Sequence, residues 1–191
     1  MVVDRPWVWL RQVHGADVVV VTAERAADVA GTEADALVTA EPGIALAVQT
    51  ADCVPVVFEG EHGVVGLAHA GWRGLEAGVI ERTGDAMQAL GAGRVTIHVG
   101  PHIVGSCYEF GDADLRRLEQ RFGGGIRTST AEGAPALDLD AVVRSVWNGP
   151  VVGALDGRDH ERCTACHPER WFSHRARGES ERMATVVWRE P

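Results

Sequence analysis

Three short stretches of the chain each place a metal-binding side chain among small residues where an apolar segment gives way to a turn. His14 lies in Gln-Val-His-Gly, Cys53 ends Thr-Ala-Asp-Cys, and His69 begins His-Ala-Gly-Trp-Arg-Gly. Imidazole and thiolate are ligands of Zn²⁺, and three protein ligands with a fourth position left for water are typical of catalytic zinc. We therefore predict that His14, Cys53 and His69 hold one Zn²⁺ and that the protein does chemistry with activated water.

Each of these residues also has an ordinary structural interpretation. A single Cys in an apolar run is more often a buried small side chain than a ligand. His14 and His69 could each be a turn histidine whose ring is satisfied by its neighbours. The zinc hypothesis therefore depends on the three residues occurring together.

Longer motifs surround these residues and extend along the chain. They include Thr-Ala-Asp-Cys-Val-Pro, Val-Gly-Pro-His-Ile, Cys-Tyr-Glu-Phe-Gly from Cys107, and the ending Phe-Ser-His-Arg with Arg-Met-Ala. In these motifs the sequence from Trp9 to Trp188 resembles the YfiH-type laccase-domain family. The resemblance implies a purine nucleoside phosphorylase that also deaminates adenosine, with nucleoside and phosphate as small-molecule partners. It also implies zinc ligands at His14, Cys53 and His69.

The start of the chain departs from the family pattern. Members of the family that the sequence resembles usually begin with about fifty further residues, which include Arg-x-Gly-Gly and Asn-Leu-Gly stretches. We expect substrate contacts made by such a segment to be missing from this sequence, so substrate affinity would be weak.

The residues beside the predicted ligands suggest roles in the implied reactions. A zinc site with two neutral imidazoles and one thiolate would have a net charge near +1, which activates water and attracts anions. Arg73 could orient phosphate through a bidentate contact, or form a surface salt bridge. Asp52 could orient the thiolate or carry a proton, or it could cap a strand end. We count Arg73 and Asp52 with the three ligands as candidate catalytic residues.

Three other functions remain open at this point. Cys53 and His69 could form a metal-free Cys–His pair that hydrolyses an amide, as in the necrotizing-toxin deamidases, whose broad fold the family shares. Copper-dependent phenol oxidation is what the laccase label implies; none of the 8 His stand in a His-x-His pair, although Cu²⁺ could replace zinc at a His/Cys site. An inactive binding module is the fourth alternative.

Composition narrows the class of protein. The chain has 191 residues, 46% of them hydrophobic, and no Pro/Ser-rich divider, so we predict a single domain over residues 1–191. A net charge of −9 disfavours a nucleic-acid partner. No signal peptide and no apolar run of about 20 residues is apparent, so we expect a cytoplasmic protein without membrane spans. The sequence does not indicate the oligomeric state.

Alternating strand-like and helix-like segments predict a mixed α/β fold of layered type. Short β-branched runs predict strands at residues 18–21, 43–48, 54–58, 64–68, 95–99 and 184–188. Helical spacing of apolar residues predicts helices at 75–90, 112–122 and 139–147. Gly91 is the predicted stop of the first helix, and Asp112 and Asp138 are the predicted N-caps of the others.

The remaining cysteines and histidines carry weaker signals. Cys163–His167 matches the Cys-x-x-Cys-His pattern of c-type haem attachment, but we favour a plain cysteine pair over haem, zinc or redox chemistry. Cys107 lies near the pocket by resemblance, with a structural role favoured. His102 follows a predicted strand end, where pocket residues are common, and His62 is predicted to be solvated.

Overall fold

Apolar runs broken by glycine and turn residues form eleven strands and six helices in the part of the computed structural model that is described, residues 7–153 and 160–190. The strands are β1 Trp7–Trp9, β2 Val18–Val20, β3 Ala36–Thr39, β4 Ala45–Thr50, β5 Val54–Gly60, β6 Val65–Ala70, β7 Val95–Val99, β8 Arg127–Ser129, β9 Pro135–Leu137, β10 Val151–Val152 and β11 Met183–Trp188. The helices are α1 Ala26–Val29, α2 Trp72–Ala77, α3 Val79–Ala89, α4 Asp112–Phe122, α5 Leu139–Val146 and α6 His174–Arg177. Short 3₁₀ turns cover Gly105–Cys107, Gly124–Ile126 and His160–Arg162.

Six of the strands form the central sheet, in the order β10-β7-β5-β6-β3-β2. Its middle is antiparallel: β5 pairs with β6 through a tight connection, so that Val54 faces Ala70 and Pro55 faces His69. The outer pairs β2–β3 and β7–β10 are parallel. A second sheet, β1-β4-β11, joins a parallel and an antiparallel pair, and β8–β9 is a separate antiparallel ribbon.

The central sheet is buried on both faces, which explains why its strands are apolar almost throughout. Along β3, Ala36 and Val38 contribute to the core shared with helices α3 and α5, while Leu37 contributes to the core shared with the β1-β4-β11 sheet. Side chains alternate between the two faces of a strand, so a strand covered on both faces needs a continuous apolar run. All six residues of β6, including His69, are buried. The mixed α/β layering predicted from the sequence is therefore confirmed.

The predicted strands agree with the observed ones to within two residues at each end. The strand at 95–99 is found with its predicted bounds as β7, and β5 and β6 each end two residues later than predicted. The prediction missed the short strands β1, β8, β9 and β10, and also β3. Strand β3 has only four residues, Ala-Leu-Val-Thr, too few to show a clear period.

The helix predicted over residues 75–90 is two helices, so this prediction was wrong in its continuity. Gly78 separates α2 from α3 and adopts a left-handed φ of 93°, which a residue with a side chain rarely takes. Its backbone N–H donates to the carbonyl of Leu75 and ends α2. Helix α2 begins at Trp72, immediately after the site described below.

The structure confirms two of the three predictions about helix ends, and the third was wrong. Asp138 caps α5 as predicted, because its Oδ1 accepts a hydrogen bond of 3.0 Å from the backbone of Ala141. Gly91 follows α3 with a left-handed φ of 77°, as expected for a stop residue. Asp112 does not cap α4: Gly111 holds the N-cap position, and the Asp112 carboxylate instead pairs with Arg127 at 2.9 Å. Among the described residues, no helix is long and apolar enough to cross a membrane.

Candidate metal centre

His14, Cys53 and His69 converge at one end of the central sheet. His69 lies on β6, Cys53 immediately precedes β5, and His14 lies in the turn between β1 and β2. Their ligand atoms all lie within 4.8 Å of one another. The Nε2 atom of His14 is 3.8 Å from the Cys53 Sγ atom, close to the roughly 3.6 Å edge that Zn–N and Zn–S bonds of about 2.05 and 2.3 Å would give a tetrahedron. The three residues therefore fit a shared zinc ion.

The turn that carries His14 is tied to strand β4 by two hydrogen bonds. The Gln12 side chain donates to the carbonyl of Gln49 at 2.7 Å and accepts from the Gln49 backbone N–H at 2.8 Å, which fixes the turn against β4. His14 itself has a left-handed φ of 59°. A non-glycine residue with positive φ is uncommon and is held there by its surroundings. The Gln-Val-His-Gly motif thus sets the position of the ring as well as supplying it.

Asp35 holds His69 and the His14 turn in place through hydrogen bonds, and it is not among the site residues predicted from the sequence. Its Oδ1 atom accepts a hydrogen bond of 2.8 Å from Nδ1 of His69 and one of 2.9 Å from the backbone of His14. Its Oδ2 atom accepts from the backbone of Gly15 at 2.6 Å. Because a carboxylate can only accept, the proton of His69 lies on Nδ1, and Nε2 is left to bind a metal. The carboxylate thus serves both histidines.

The signal that could have identified Asp35 is faint. It is an acidic residue directly before the short apolar strand β3, where an unpaired carboxylate would be costly to bury. The side chain is completely buried, so it needs partners, and the β3–β6 pairing supplies His69 as one of them. That pairing joins residues 34 positions apart, and no local pattern reveals it.

The electrostatics of the centre favour a thiolate. Burial alone would raise the pKa of Cys53, but the His14 and His69 rings outweigh it and lower the pKa to about 6. Burial alone would lower the pKa of His69, but Asp35 and the Cys53 thiolate raise it to about 9. The same contacts with His69 and with the His14 turn hold the pKa of Asp35 below its ordinary value against the effect of burial. A deprotonated thiol is the form that binds metals and attacks carbonyl groups.

Gly71 leaves the space that the ligands occupy. It stands one residue beyond the Val54–Ala70 pair, opposite Cys53. A Cβ atom at Gly71 would lie 2.7 Å from Cδ2 of His14 and 3.0 Å from Sγ of Cys53, closer than van der Waals contact allows. The glycine of His-Ala-Gly-Trp-Arg-Gly is therefore required by the two ligands.

Asp52 holds the C-terminal part of the chain over the centre. Its Oδ1 atom accepts hydrogen bonds of 2.6 Å from the hydroxyl groups of Thr164 and Ser173, and its Oδ2 atom accepts one of 2.6 Å from the backbone of Arg175. Asp52 also adopts a left-handed φ of 94°. The described hydrogen bonds of its side chain join segments more than 110 positions apart and do not include one to the side chains of His14, Cys53 or His69.

The three ligands open into a cavity of about 610 Å³. This volume is in the range of small-molecule sites. Arg73 lies at its wall with its guanidinium 4.3 Å from the centre of the Trp72 ring, and Arg175 stacks on Tyr108 at 4.6 Å. Arg182 also lines the cavity, whereas Asp52 is the acidic residue among the lining side chains. A cavity with this balance of charge suits an anionic ligand.

The chain is similar in sequence to known proteins. The sequence profile of the family described as multi-copper polyphenol oxidoreductase laccase matches residues 1–190. The chain belongs to this laccase-like family. A curated relative, the purine nucleoside phosphorylase ORF3 of Streptomyces griseus, is 41% identical over 184 residues, which cover 95% of this chain and 73% of the relative. The resemblance found in the sequence is thereby confirmed at the level of the family.

Solved structures of the laccase-like family share the fold. The Neisseria meningitidis protein NMB0706 superposes with a TM-score of 0.83 at 31% identity, covering 99% of this chain and 77% of that protein. The YfiH protein of Bacillus licheniformis superposes with a TM-score of 0.79 at 27% identity, covering 96% of this chain and 74% of that one. The layered α/β arrangement of the laccase-like family is therefore the arrangement of this chain.

Other residues singled out in the sequence, His62, His102 and Cys107, are not among those that line the cavity. His62 is exposed and its Nδ1 atom pairs with the carbonyl of Gly91 at 2.8 Å. His102 is buried, with Nδ1 paired to the carbonyl of Gly100 at 2.9 Å, and it is not among the residues that line the cavity. Cys107 and Cys166 lie together in a second cluster, with their Sγ atoms 3.4 Å apart.

Proposed function

We propose that the protein is a zinc-dependent purine nucleoside phosphorylase that also deaminates adenosine. The observation that carries the proposal is the set of His14, Cys53 and His69, with ligand atoms within 4.8 Å of one another, at the wall of a cavity that arginines also line. The names of the relatives, purine nucleoside phosphorylases, supply the substrate class. His14, Cys53 and His69 would hold the metal, with Asp35 fixing His69.

The choice of Zn²⁺ rests on the donor set. One thiolate and two imidazoles are borderline-soft ligands that suit zinc, and three protein ligands leave an open coordination position. When bound, Zn²⁺ would act as a Lewis acid that activates water and attracts phosphate. The same donors would accept Cu²⁺ when copper is in excess, which is consistent with the family description without requiring oxidase chemistry in this chain.

The protein residues would then position the substrates. Arg73 and Arg175 present planar guanidinium groups at the cavity wall, and such groups bind phosphate through paired hydrogen bonds. Trp72 and Tyr108 hold these guanidinium groups by stacking, so less side-chain freedom is lost when an anion binds. Asp52 would act by holding the segment that carries Arg175, a positioning role.

The test is a paired assay of both reactions. Purified protein receives inosine or adenosine with phosphate, and chromatography follows free base and inosine. We expect phosphate-dependent release of base and conversion of adenosine to inosine, and we expect Cys53→Ala to lose both because both depend on one metal. His62→Ala, an exposed histidine distant from the cavity, should retain both activities. Phosphorolysis that survives in Cys53→Ala would refute the zinc mechanism.

A second function has one specific observation in its favour. A candidate catalytic triad is formed by Asp35, His69 and Cys53, in which a carboxylate orients an imidazole beside a thiol, as in cysteine hydrolases. A metal-free amide hydrolase would need these three residues but not His14. His14→Ala separates the two functions, since it removes a zinc ligand while leaving the triad intact. Amide hydrolysis retained in His14→Ala and insensitive to chelators would support the hydrolase.

A further inference from the structure

A second cluster of thiol and imidazole groups lies outside the cavity. It is formed by Cys107, His160 and Cys166, whose ligand atoms all lie within 4.8 Å of one another. The Sγ atoms of Cys107 and Cys166 are 3.4 Å apart, and Nδ1 of His160 is 3.3 Å from Sγ of Cys166. Two separate parts of the chain thus bring soft ligands together, and none of these residues has a part in the proposed reaction.

The spacing of these atoms fits a tetrahedral zinc ion. Zn–S and Zn–N bonds of about 2.3 and 2.05 Å give tetrahedral edges of about 3.8 Å between two sulfur atoms and about 3.6 Å between sulfur and nitrogen. The observed separations fall within about half an ångström of those edges. The four cysteines of the chain are free thiols, so both sulfur atoms are available as ligands.

The His160 ring has the second partner that a metal-binding histidine needs. Its Nε2 atom lies 3.3 Å from the hydroxyl of Ser106, on the side of the ring opposite Nδ1. A proton on Nε2 would be donated to this hydroxyl, which leaves the Nδ1 lone pair directed at the thiols. Such an outer hydrogen bond fixes the tautomer and orientation of a metal-binding histidine.

Cys163 is a further thiol of the same segment. It precedes Cys166 by three positions, the Cys-x-x-Cys spacing common in structural zinc sites, and it is completely buried. The cluster of Cys107, His160 and Cys166 offers three ligands, and the Cys163 thiol would complete a tetrahedral set.

We propose that the cluster of Cys107, His160 and Cys166 binds a second, structural Zn²⁺, with Cys163 of the Cys-x-x-Cys pair as its fourth ligand. Four protein ligands would close the coordination shell, so this ion would do no chemistry. It would join the 3₁₀ turn Gly105–Cys107 to the segment around Cys163, two regions linked by backbone pairing between Cys163 and His102. The next residue, Thr164, donates to Asp52 beside the first centre. The second ion would thus anchor the segment that is hydrogen-bonded to Asp52.

Metal content of the full chain, purified without added metal, tests the site. We expect about two zinc ions per chain, one for each ligand cluster. Cys107→Ser and Cys166→Ser should each lose about one, and Cys53→Ser should lose the other. His167→Ala is the matched control, because this neighbour of Cys166 pairs with Glu169 instead and should leave the content unchanged. One zinc per chain in the wild type, unchanged in Cys107→Ser and Cys166→Ser, would overturn the proposal.

Cobalt substitution tests the same site in a chain whose second cluster is intact. In Cys53→Ser the first centre has no thiolate, so any sulfur-to-cobalt charge-transfer band in the near ultraviolet must come from the second cluster. We expect a strong band that saturates with one equivalent of Co²⁺ and disappears when Zn²⁺ is added. A weak or absent band, or a disulfide between Cys107 and Cys166 in freshly purified protein, would overturn the proposal even if the serine variants fail to fold.

Discussion

The Nδ1 atom of His69 lies 2.8 Å from Oδ1 of Asp35, and this contact decides which nitrogen of the ring faces Cys53. The same carboxylate receives the backbone N–H groups of the His14 turn. One buried acidic residue therefore orients two of the three candidate ligands. The geometry of the candidate metal centre thus depends on Asp35 as well as on His14, Cys53 and His69.

The first prediction concerns this residue. Asp35→Asn keeps the size of the side chain but loses the charge and one acceptor, so we expect metal affinity at the first centre to fall about 10- to 100-fold. Competition with a chromophoric chelator measures the affinity. Glu33→Gln is the control, since Glu33 lies two positions before Asp35 and is an exposed carboxylate paired with Arg11. Unchanged affinity in Asp35→Asn would show that Asp35 does not support the ligands.

Gly71→Ala should disturb the ligands without changing their identity. The new Cβ would press on the His14 ring and the Cys53 sulfur, so we expect weaker metal binding and lower activity in a chain that still folds. Metal content and circular dichroism measure the two effects. Gly124→Ala is the control, because a Cβ there meets no atom within 4 Å. If Gly71→Ala bound metal normally, the three ligands could not be as close as described.

Asp52→Asn should destabilise the folded protein. It weakens three short hydrogen bonds at a residue that is 6% exposed, and we expect the free energy of unfolding to fall by about 2–4 kcal/mol. Urea denaturation measures this change, with Asp114→Asn on the exposed surface as the control. If Asp52 instead transfers a proton, stability would change little while the pH profile of activity would lose one limb.

Arg73→Lys should weaken phosphate binding. Lysine keeps the positive charge but loses the planar fork that binds two phosphate oxygens, and we expect KM for phosphate to rise about tenfold with a smaller effect on KM for the nucleoside. Initial rates at varied phosphate measure both constants. Arg82→Lys, at an exposed arginine near Asp17, is the control. Equal increases in both KM values would argue against a phosphate contact.

The thiol of Cys53 should ionise at unusually low pH in metal-depleted protein. A lowered pKa means that the thiolate, and with it alkylation by iodoacetamide, appears on raising the pH through about 6, whereas an ordinary thiol responds near 9. Asp35→Asn should move the midpoint upward, because His69 then binds its proton less tightly and stabilises the thiolate less. Peptide mass spectrometry follows Cys53 separately from the other cysteines. A wild-type midpoint near 9 would contradict the ion pair.

The sequence predicts the parts of this molecule whose cause is local. Helix α5 and its Asp138 cap, the strand β7 and the three ligand motifs follow from patterns a few residues long. The break at Gly78 was missed because apolar spacing continues across it, and glycine is tolerated within helical patterns. Asp35 and the bonds of Asp52 to the C-terminal segment were missed because they depend on strand pairing and on contacts across the whole chain. The second cysteine cluster combines Cys107 with residues more than 50 positions away for the same reason.

We propose that a zinc ion at His14, Cys53 and His69 enables phosphate-dependent cleavage of purine nucleosides. The most direct measurement is the release of free base from inosine by one protein sample before chelation, after chelation, and after zinc or copper is restored. We predict that phosphorolysis is lost on chelation and recovers with Zn²⁺. Phosphorolysis that persists after the metal is removed, or that returns only with copper, would contradict this account.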